Sequence, residues 1–151
     1  MNSTSEERSL STKKEYWNER YADHVIRRTI LITINQIEND NDSIENIDAI
    51  VAVANGGIPL GKQMASWFNL PLIIVNPNNI DTNILPHYFI ITEDVVDSGE
   101  TLNLIYKQFR ESGFEFECYI ASIVKKPWNP HKEVISGIIS NKWIVLPWEE
   151  K

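Results

Sequence analysis

The sequence predicts an α/β fold, a mostly parallel sheet flanked by helices. Short apolar runs recur at 49–54 (AIVAVA), 72–75 (LIIV), 88–92 (YFIIT) and 118–124 (CYIASIV). Each is continuous rather than alternating, as expected of a strand buried on both faces. Stretches with helical spacing of apolar residues lie between them, and strands alternating with helices are the pattern of a parallel sheet. There is no internal repeat and no low-complexity segment.

Taken in order, residues 1–11 read as a polar tail. Thr12 followed by Glu15 spells a capping box and predicts a helix from that point. Trp17, Tyr21, Ile26, Ile30, Ile34 and Ile37 supply its apolar face. The acidic stretch 39–48 (NDNDSIENID) reads as a solvated loop without the ligand spacing of a calcium loop. Asn55-Gly56-Gly57 interrupts the first strand. After Pro59, Leu60, Met64 and Phe68 share one helical face up to Asn69. Residues 76–86 are too rich in Asn and Pro to be a regular element. The segment 93–100 (EDVVDSGE) is predicted as the turn after the third strand. Leu102, Ile105, Tyr106 and Phe109 then mark an amphipathic helix that Gly113 stops. The remainder, 125–151, carries three prolines and three tryptophans, and 138–146 (IISNKWIVL) is expected to hold a short strand pair.

Length and composition narrow the function. The 151 residues are 42% hydrophobic and 23% charged, which suits one globular domain with an ordinary core. Fourteen basic against 21 acidic side chains leave a net charge of −7. That balance argues against a sequence-independent hold on nucleic acid and against docking on an anionic membrane. Cys118 is the single cysteine, so no internal disulfide framework exists, and its place in a predicted strand makes it an inert core thiol. No apolar run approaches the roughly 20 residues of a membrane span, and the polar stretch MNSTSEERSLSTKK has no signal-peptide core. The expected location is the cytoplasm.

In parallel sheets ligands bind beyond the carboxyl ends of the strands. Two strand-to-helix loops lie there, 55–59 and 93–101. In the second, Asp97-Ser98-Gly99-Glu100-Thr101 places a glycine and two hydroxyls where a helix begins. Glycine allows a sharp turn and close approach of a ligand, and the first helical N–H groups attract an anion. The same residues also suit an ordinary helix cap. Glu93 and Asp94 lie just upstream, and carboxylates beside a phosphate cup need other partners, such as ribose hydroxyls and a Mg²⁺ ion.

The segment 89–102 (FIITEDVVDSGETL) resembles the phosphoribosyl pyrophosphate signature of the type I phosphoribosyltransferases: four apolar residues, two acids, two apolar residues, then Asp-Ser/Thr-Gly-x-Ser/Thr. Thr92 departs from it by filling the fourth apolar position. Residues 50–65 (IVAVANGGIPLGKQMA) resemble that family's first strand and pyrophosphate loop. Lys126-Pro127 and 142–149 (KWIVLPWE) resemble the base-binding hood of xanthine–guanine phosphoribosyltransferases. The resemblance implies a single domain over 12–151 with a hood at 125–151.

It also implies a transfer of 5-phosphoribose from phosphoribosyl pyrophosphate to a 6-oxopurine, with Mg²⁺ as cofactor. Glu93 and Asp94 would hold the ribose hydroxyls and the metal. Ser98, Gly99, Glu100 and Thr101 would bind the 5′-phosphate, and Asp97 would accept or orient a proton at the base. Asn55, Gly56 and Gly57 would face pyrophosphate, with an unusual peptide in that loop, cis being one option. Lys126 would meet the purine O6, with Lys125 as the alternative cation. Trp143 would stack on the ring or belong to the core, and the Ile144 carbonyl would meet the 2-position. Relatives assemble as homodimers or homotetramers, and the expected partners are small molecules rather than nucleic acid or membrane.

Two departures bear on turnover. Asn55 stands where relatives carry Arg or Lys, and no Lys or Arg occurs between Lys62 and Lys107. The loop that covers the reaction in relatives is expected within 76–87, where it is short. In an oligomer, Lys13, Arg27 or Arg28 of a second copy could supply charge. These departures favour one alternative, a non-catalytic protein that binds phosphoribosyl pyrophosphate or a nucleotide. A second, a transferase for another nucleobase, stands because the hood sets the substrate and its contacts come only from the resemblance.

Overall fold

The computed structural model describes residues 13–149. Five strands form one parallel sheet in the order β3-β2-β4-β5-β6: β2 (Ala49–Val53), β3 (Leu72–Val75), β4 (Tyr88–Val96), β5 (Glu117–Lys125) and β6 (Val134–Ile139). Helix α1 (Glu19–Asn39) precedes β2, α2 (Ile58–Phe68) joins β2 to β3, and α3 (Glu100–Ser112) joins β4 to β5. A separate parallel pair joins β1 (Lys14–Tyr16) to β7 (Trp143–Val145).

Two apolar clusters flank the sheet. One packs Val25, Ile26 and Ile30 of α1 and Leu60 and Met64 of α2 against Ile50, Ile90 and Ala121. The other packs Leu102, Ile105 and Phe109 of α3 against Val51, Phe89 and Ile91. Neighbouring residues along β2 and β4 thus enter opposite clusters, as the period of two requires. The sheet is covered on both faces, which is why its strands are continuous apolar runs. Thr29 and Thr33 sit within the buried face of α1, and each hydroxyl donates to the carbonyl four residues earlier at 2.8 Å. Burial therefore leaves neither hydroxyl unsatisfied.

The structure revises the sequence expectations at four places. Thr12 lies outside the described residues, so the capping box is not described, but Glu15 belongs to strand β1 rather than to a helix. Helix α1 starts four residues later, where the Asn18 side chain accepts from the Tyr21 N–H at 2.8 Å. Trp17 remains in the core (6% exposed) through an edge-on contact with Tyr21. The two C-terminal strands exist but do not pair with each other: β6 joins the main sheet and β7 joins β1. Strand β4 runs on to Val96, so Glu93 and Asp94 belong to a strand and not to a turn. The segment expected to cover the reaction is docked on α3. Gln108 accepts from the Ile80 N–H and donates to the Pro77 carbonyl, and Leu85 is buried.

Because all five strands are parallel, the carboxyl ends of the adjacent strands β2, β4 and β5 lie side by side. The loops 54–57, 97–99 and 126–133 are neighbours for that reason. Phe89, near the opposite, amino end of β4, is fully buried among Phe109, Phe114 and Phe116. Phe89→Ala is expected to cost about 3–5 kcal/mol of stability by urea unfolding. A loss below about 1 kcal/mol would contradict this packing.

Candidate functional site

Strand β4 ends at Val96, and Asp97 and Ser98 lead to Gly99, the first capping position of α3. Gly99 has φ 86°, which other residues rarely adopt, and a Cβ there would lie 2.6 Å from the His131 ring. No side chain caps this helix. The Ser98 hydroxyl makes two long contacts with Glu100, accepting from its N–H and donating to its carboxylate, both at 3.4 Å. Asp97, a residue type that often caps helices, is engaged elsewhere: its Oδ1 accepts from the Trp128 indole N–H at 2.5 Å. The first N–H groups of α3 therefore point into a cleft of about 140 Å³, lined by Glu93, Val95, Val96 and residues 97–102. Such an array, at the positive end of a helix dipole, suits a phosphate-sized anion.

The acid pair divides between two faces of β4. Glu93 enters the cleft and is 8% exposed. Burial, followed by the charge of Asp94, pushes its carboxyl up to about 8. Asp94 turns the other way, and a Cβ on Gly56 would collide with its carboxylate. Burial raises the Asp94 pKa first, and Glu149 adds to the rise. The Val95 N–H, 2.6 Å from Oδ1, opposes it. The Trp148 indole also opposes it, near enough to act on the carboxylate while its N–H closes no hydrogen bond among the described residues.

The loop after β2 is tightly folded. The Ala54–Asn55 peptide bond is cis. Asn55 is exposed, and Gly57 is buried with its N–H donating to the Val53 carbonyl at 2.8 Å. That leaves Gly56 as the glycine of the pair whose amide can face a ligand. A side chain on Gly57 would strike the Thr92 carbonyl.

The third loop brings cations and rings to the first two. Lys126 is 8% exposed, and burial lowers its pKa while the charge of Asp97 opposes the fall. Its ammonium donates to the Lys142 carbonyl and lies 5.9 Å from the Trp128 ring. Lys125 is turned away, donating to the Val134 carbonyl at 2.7 Å. Trp143 is 49% exposed, with the Lys14 ammonium 4.7 Å from its ring centroid, so it is not a core residue. The Ile144 side chain is buried. His87 bonds to the Glu115 carbonyl at the strand edge. Arg28 donates from Nε to the Gly137 carbonyl, a use on its own chain.

Sequence reasoning gave no role to Trp128, His131, Trp148 or Glu149, although the last two fall within the hood-like segment 142–149. His131 Nε2 lies 3.2 Å from the Gly99 carbonyl, and Nδ1 lies 3.5 Å from Glu133, which also accepts from the Tyr106 hydroxyl. The position of Trp128, three residues past the end of a buried strand, was a further signal. The contacts that give all four their place depend on how distant loops fold back.

No family model and no curated protein matches the chain. Solved structures do. A purine phosphoribosyltransferase from Pyrococcus horikoshii Ot3 is 22% identical with TM-score 0.69, the match covering 91% of this chain and 95% of that one. The xanthine-guanine-hypoxanthine phosphoribosyltransferase of Helicobacter pylori is 18% identical with TM-score 0.68, covering 91% and 94%. A Neisseria gonorrhoeae protein solved with bound ppGpp is 18% identical with TM-score 0.69, covering 92% and 90%. The chain has the type I phosphoribosyltransferase fold, as its signature segment implied.

No group of three or more His, Cys, Asp or Glu side chains converges on a metal-sized site among the described residues. Glu93 and Asp94, on opposite faces of β4, each carry hard oxygen donors of the kind Mg²⁺ takes. The raised carboxyl of Glu93 has a consequence in metal-free solution. The folded chain holds its proton more tightly than the unfolded one, so stability falls as pH rises from about 4.5 to 8. Glu93→Gln removes that ionisation. Its melting temperature is expected to match the parent near pH 5 and exceed it by several degrees at pH 8.5. Equal melting temperatures at pH 8.5 would refute the buried-acid account.

Proposed function

We propose that the protein is a phosphoribosyltransferase that uses phosphoribosyl pyrophosphate and Mg²⁺ to convert a 6-oxopurine base into its nucleotide. One observation carries this reading: the uncapped N-terminus of α3 shares a cleft with Glu93, while Asp94 stands against the glycine loop at the next strand end. A phosphate at the helix and a diphosphate at the loop are the two ends of phosphoribosyl pyrophosphate, and the acids lie between them. The similarity to purine phosphoribosyltransferases adds to it.

In this reading Ser98, Gly99, Glu100 and Thr101 hold the 5′-phosphate, largely through main-chain N–H groups. Asn55 and Gly56 face the pyrophosphate, and Gly57 shapes the loop. Glu93 and Asp94 hold the ribose hydroxyls and would supply oxygens to Mg²⁺, which when bound offsets the charge of the leaving pyrophosphate. The bond from C1 of the ribose to pyrophosphate breaks as the base nitrogen bonds to C1, and the base loses a proton to Asp97. Lys126 donates to the purine O6, which favours an oxo group over the 6-amino group of adenine. Trp143 offers an exposed ring face for stacking, and the Ile144 carbonyl meets the 2-position. Catalysis then rests on positioning and electrostatics.

A second reading, nucleotide binding without turnover, is favoured by Asn55 and by the cation-free stretch between Lys62 and Lys107. It is also supported by the Neisseria gonorrhoeae protein of similar structure, which was solved with ppGpp bound.

Pyrophosphate release from phosphoribosyl pyrophosphate, measured with guanine, hypoxanthine, xanthine, adenine and orotate, separates the readings. Turnover is expected with at least one 6-oxopurine and not with adenine or orotate. Asp97→Asn is expected to slow it by about 100-fold or more. Binding without turnover by any base would leave the second reading standing.

A further inference from the structure

The fourth apolar position of the signature segment is held by Thr92, which is fully buried in the central strand β4. A hydroxyl in that setting is costly unless it is hydrogen-bonded. Its partner is the Gly57 carbonyl at 2.9 Å, across from β4 to the loop that follows β2. The Gly57 carbonyl already accepts from the Gly61 N–H at 3.0 Å as the first turn of α2 forms. Thr92 therefore adds a second donor to an acceptor that the first turn of α2 satisfies without it, so the loop carbonyl itself does not depend on this bond.

The bond ties two parts of the site together. Gly57 is pressed so closely on Thr92 that a Cβ there would lie 2.9 Å from the Thr92 carbonyl carbon. Two residues along the same face of β4, the Asp94 carboxylate meets Gly56. Alternate residues of the strand, 92 and 94, thus touch consecutive glycines of the loop, 57 and 56. The Asp94 contact is a packing contact, and the Thr92 hydroxyl is the directional one that sets the angle of the Gly57 peptide. The Gly56 amide lies two peptide units before the Gly57 carbonyl, and the peptide between them is held by the Gly57 N–H bond to the Val53 carbonyl.

We infer that Thr92 is a positioning residue whose hydroxyl holds the Asn55–Gly57 loop in the orientation that receives the diphosphate group of the substrate. This rests on the transferase reading above. An ordered loop binds more tightly because less conformational freedom is lost on binding. The hydroxyl acts only through the loop, so its removal weakens diphosphate ligands and leaves the base site alone.

Thr92→Val removes the hydroxyl and keeps the shape, and Thr92→Ser keeps the hydroxyl and removes the methyl. The full chain of each is titrated with inorganic pyrophosphate and Mg²⁺, and KM is measured for phosphoribosyl pyrophosphate and for the base. Thr92→Val is expected to weaken pyrophosphate binding and raise KM for phosphoribosyl pyrophosphate by about three- to tenfold, the range of one hydrogen bond. KM for the base and the melting temperature should stay near parent values, and Thr92→Ser should come within about twofold of the parent. Parent-like affinity in Thr92→Val, or equal loss in both variants, overturns the inference alone. A parent chain that binds neither pyrophosphate nor phosphoribosyl pyrophosphate overturns it together with the transferase reading.

Discussion

Side chains on a β-strand alternate between faces, and β4 keeps this alternation through Val96 instead of stopping before the acids. Thr92 and Asp94 consequently face the glycine loop, whereas Glu93 enters the cleft at the start of α3. Had the strand ended at Thr92, both carboxylates would sit in a turn with water on every side. Their burial, their mutual repulsion and the raised carboxyl of Glu93 all follow from the central strand carrying them to its end. The flanking loops are placed by the same sheet, because parallel pairing puts the ends of β2, β4 and β5 on one edge.

The proposed polyphosphate ligand would have to be neutralised with no lysine or arginine in the two loops that would receive it. The net charge of −7 includes four carboxylates within residues 93–100, and no basic residue lies between Lys62 and Lys107. Main-chain N–H groups at the uncapped α3 terminus supply partial positive charge at a fixed position. Engaging Asp97 with the Trp128 indole keeps a natural capping residue off that terminus. Lys126 brings an ammonium close enough for the charge of Asp97 to act on it. Its ammonium is held by the Lys142 carbonyl, beside the exposed Trp143. The two halves of the site are thereby linked through side chains of the 126–131 loop.

Most of the sheet and two of its helices were legible in the sequence because they rest on local patterns. Strands β2 to β5 are apolar runs, and the buried face of α3 follows its spacing of three and four residues. The site was legible where one segment carries it, as in 93–101. The start of α1 was misplaced because β1 is a strand only by virtue of β7, more than 120 residues away, and no local pattern encodes that pairing. The placement of β6 and β7 failed for the same reason. Thr92 looked like an imperfection in an apolar run until its acceptor, on another strand's loop, was in view. Trp128 and His131 gain meaning only when their loop lies across Asp97 and Gly99. What escaped the sequence is long-range closure, where a residue's role is set by a partner the chain reaches only after folding.

Calorimetric titration with phosphoribosyl pyrophosphate, in Mg²⁺ and again in a chelator, tests most directly whether backbone amides and a metal together replace the missing cations. The account predicts saturable binding in Mg²⁺ and an affinity at least about tenfold weaker in the chelator, where the acid pair repels the ligand. Equal affinity in both solutions, or no binding in either, would contradict it.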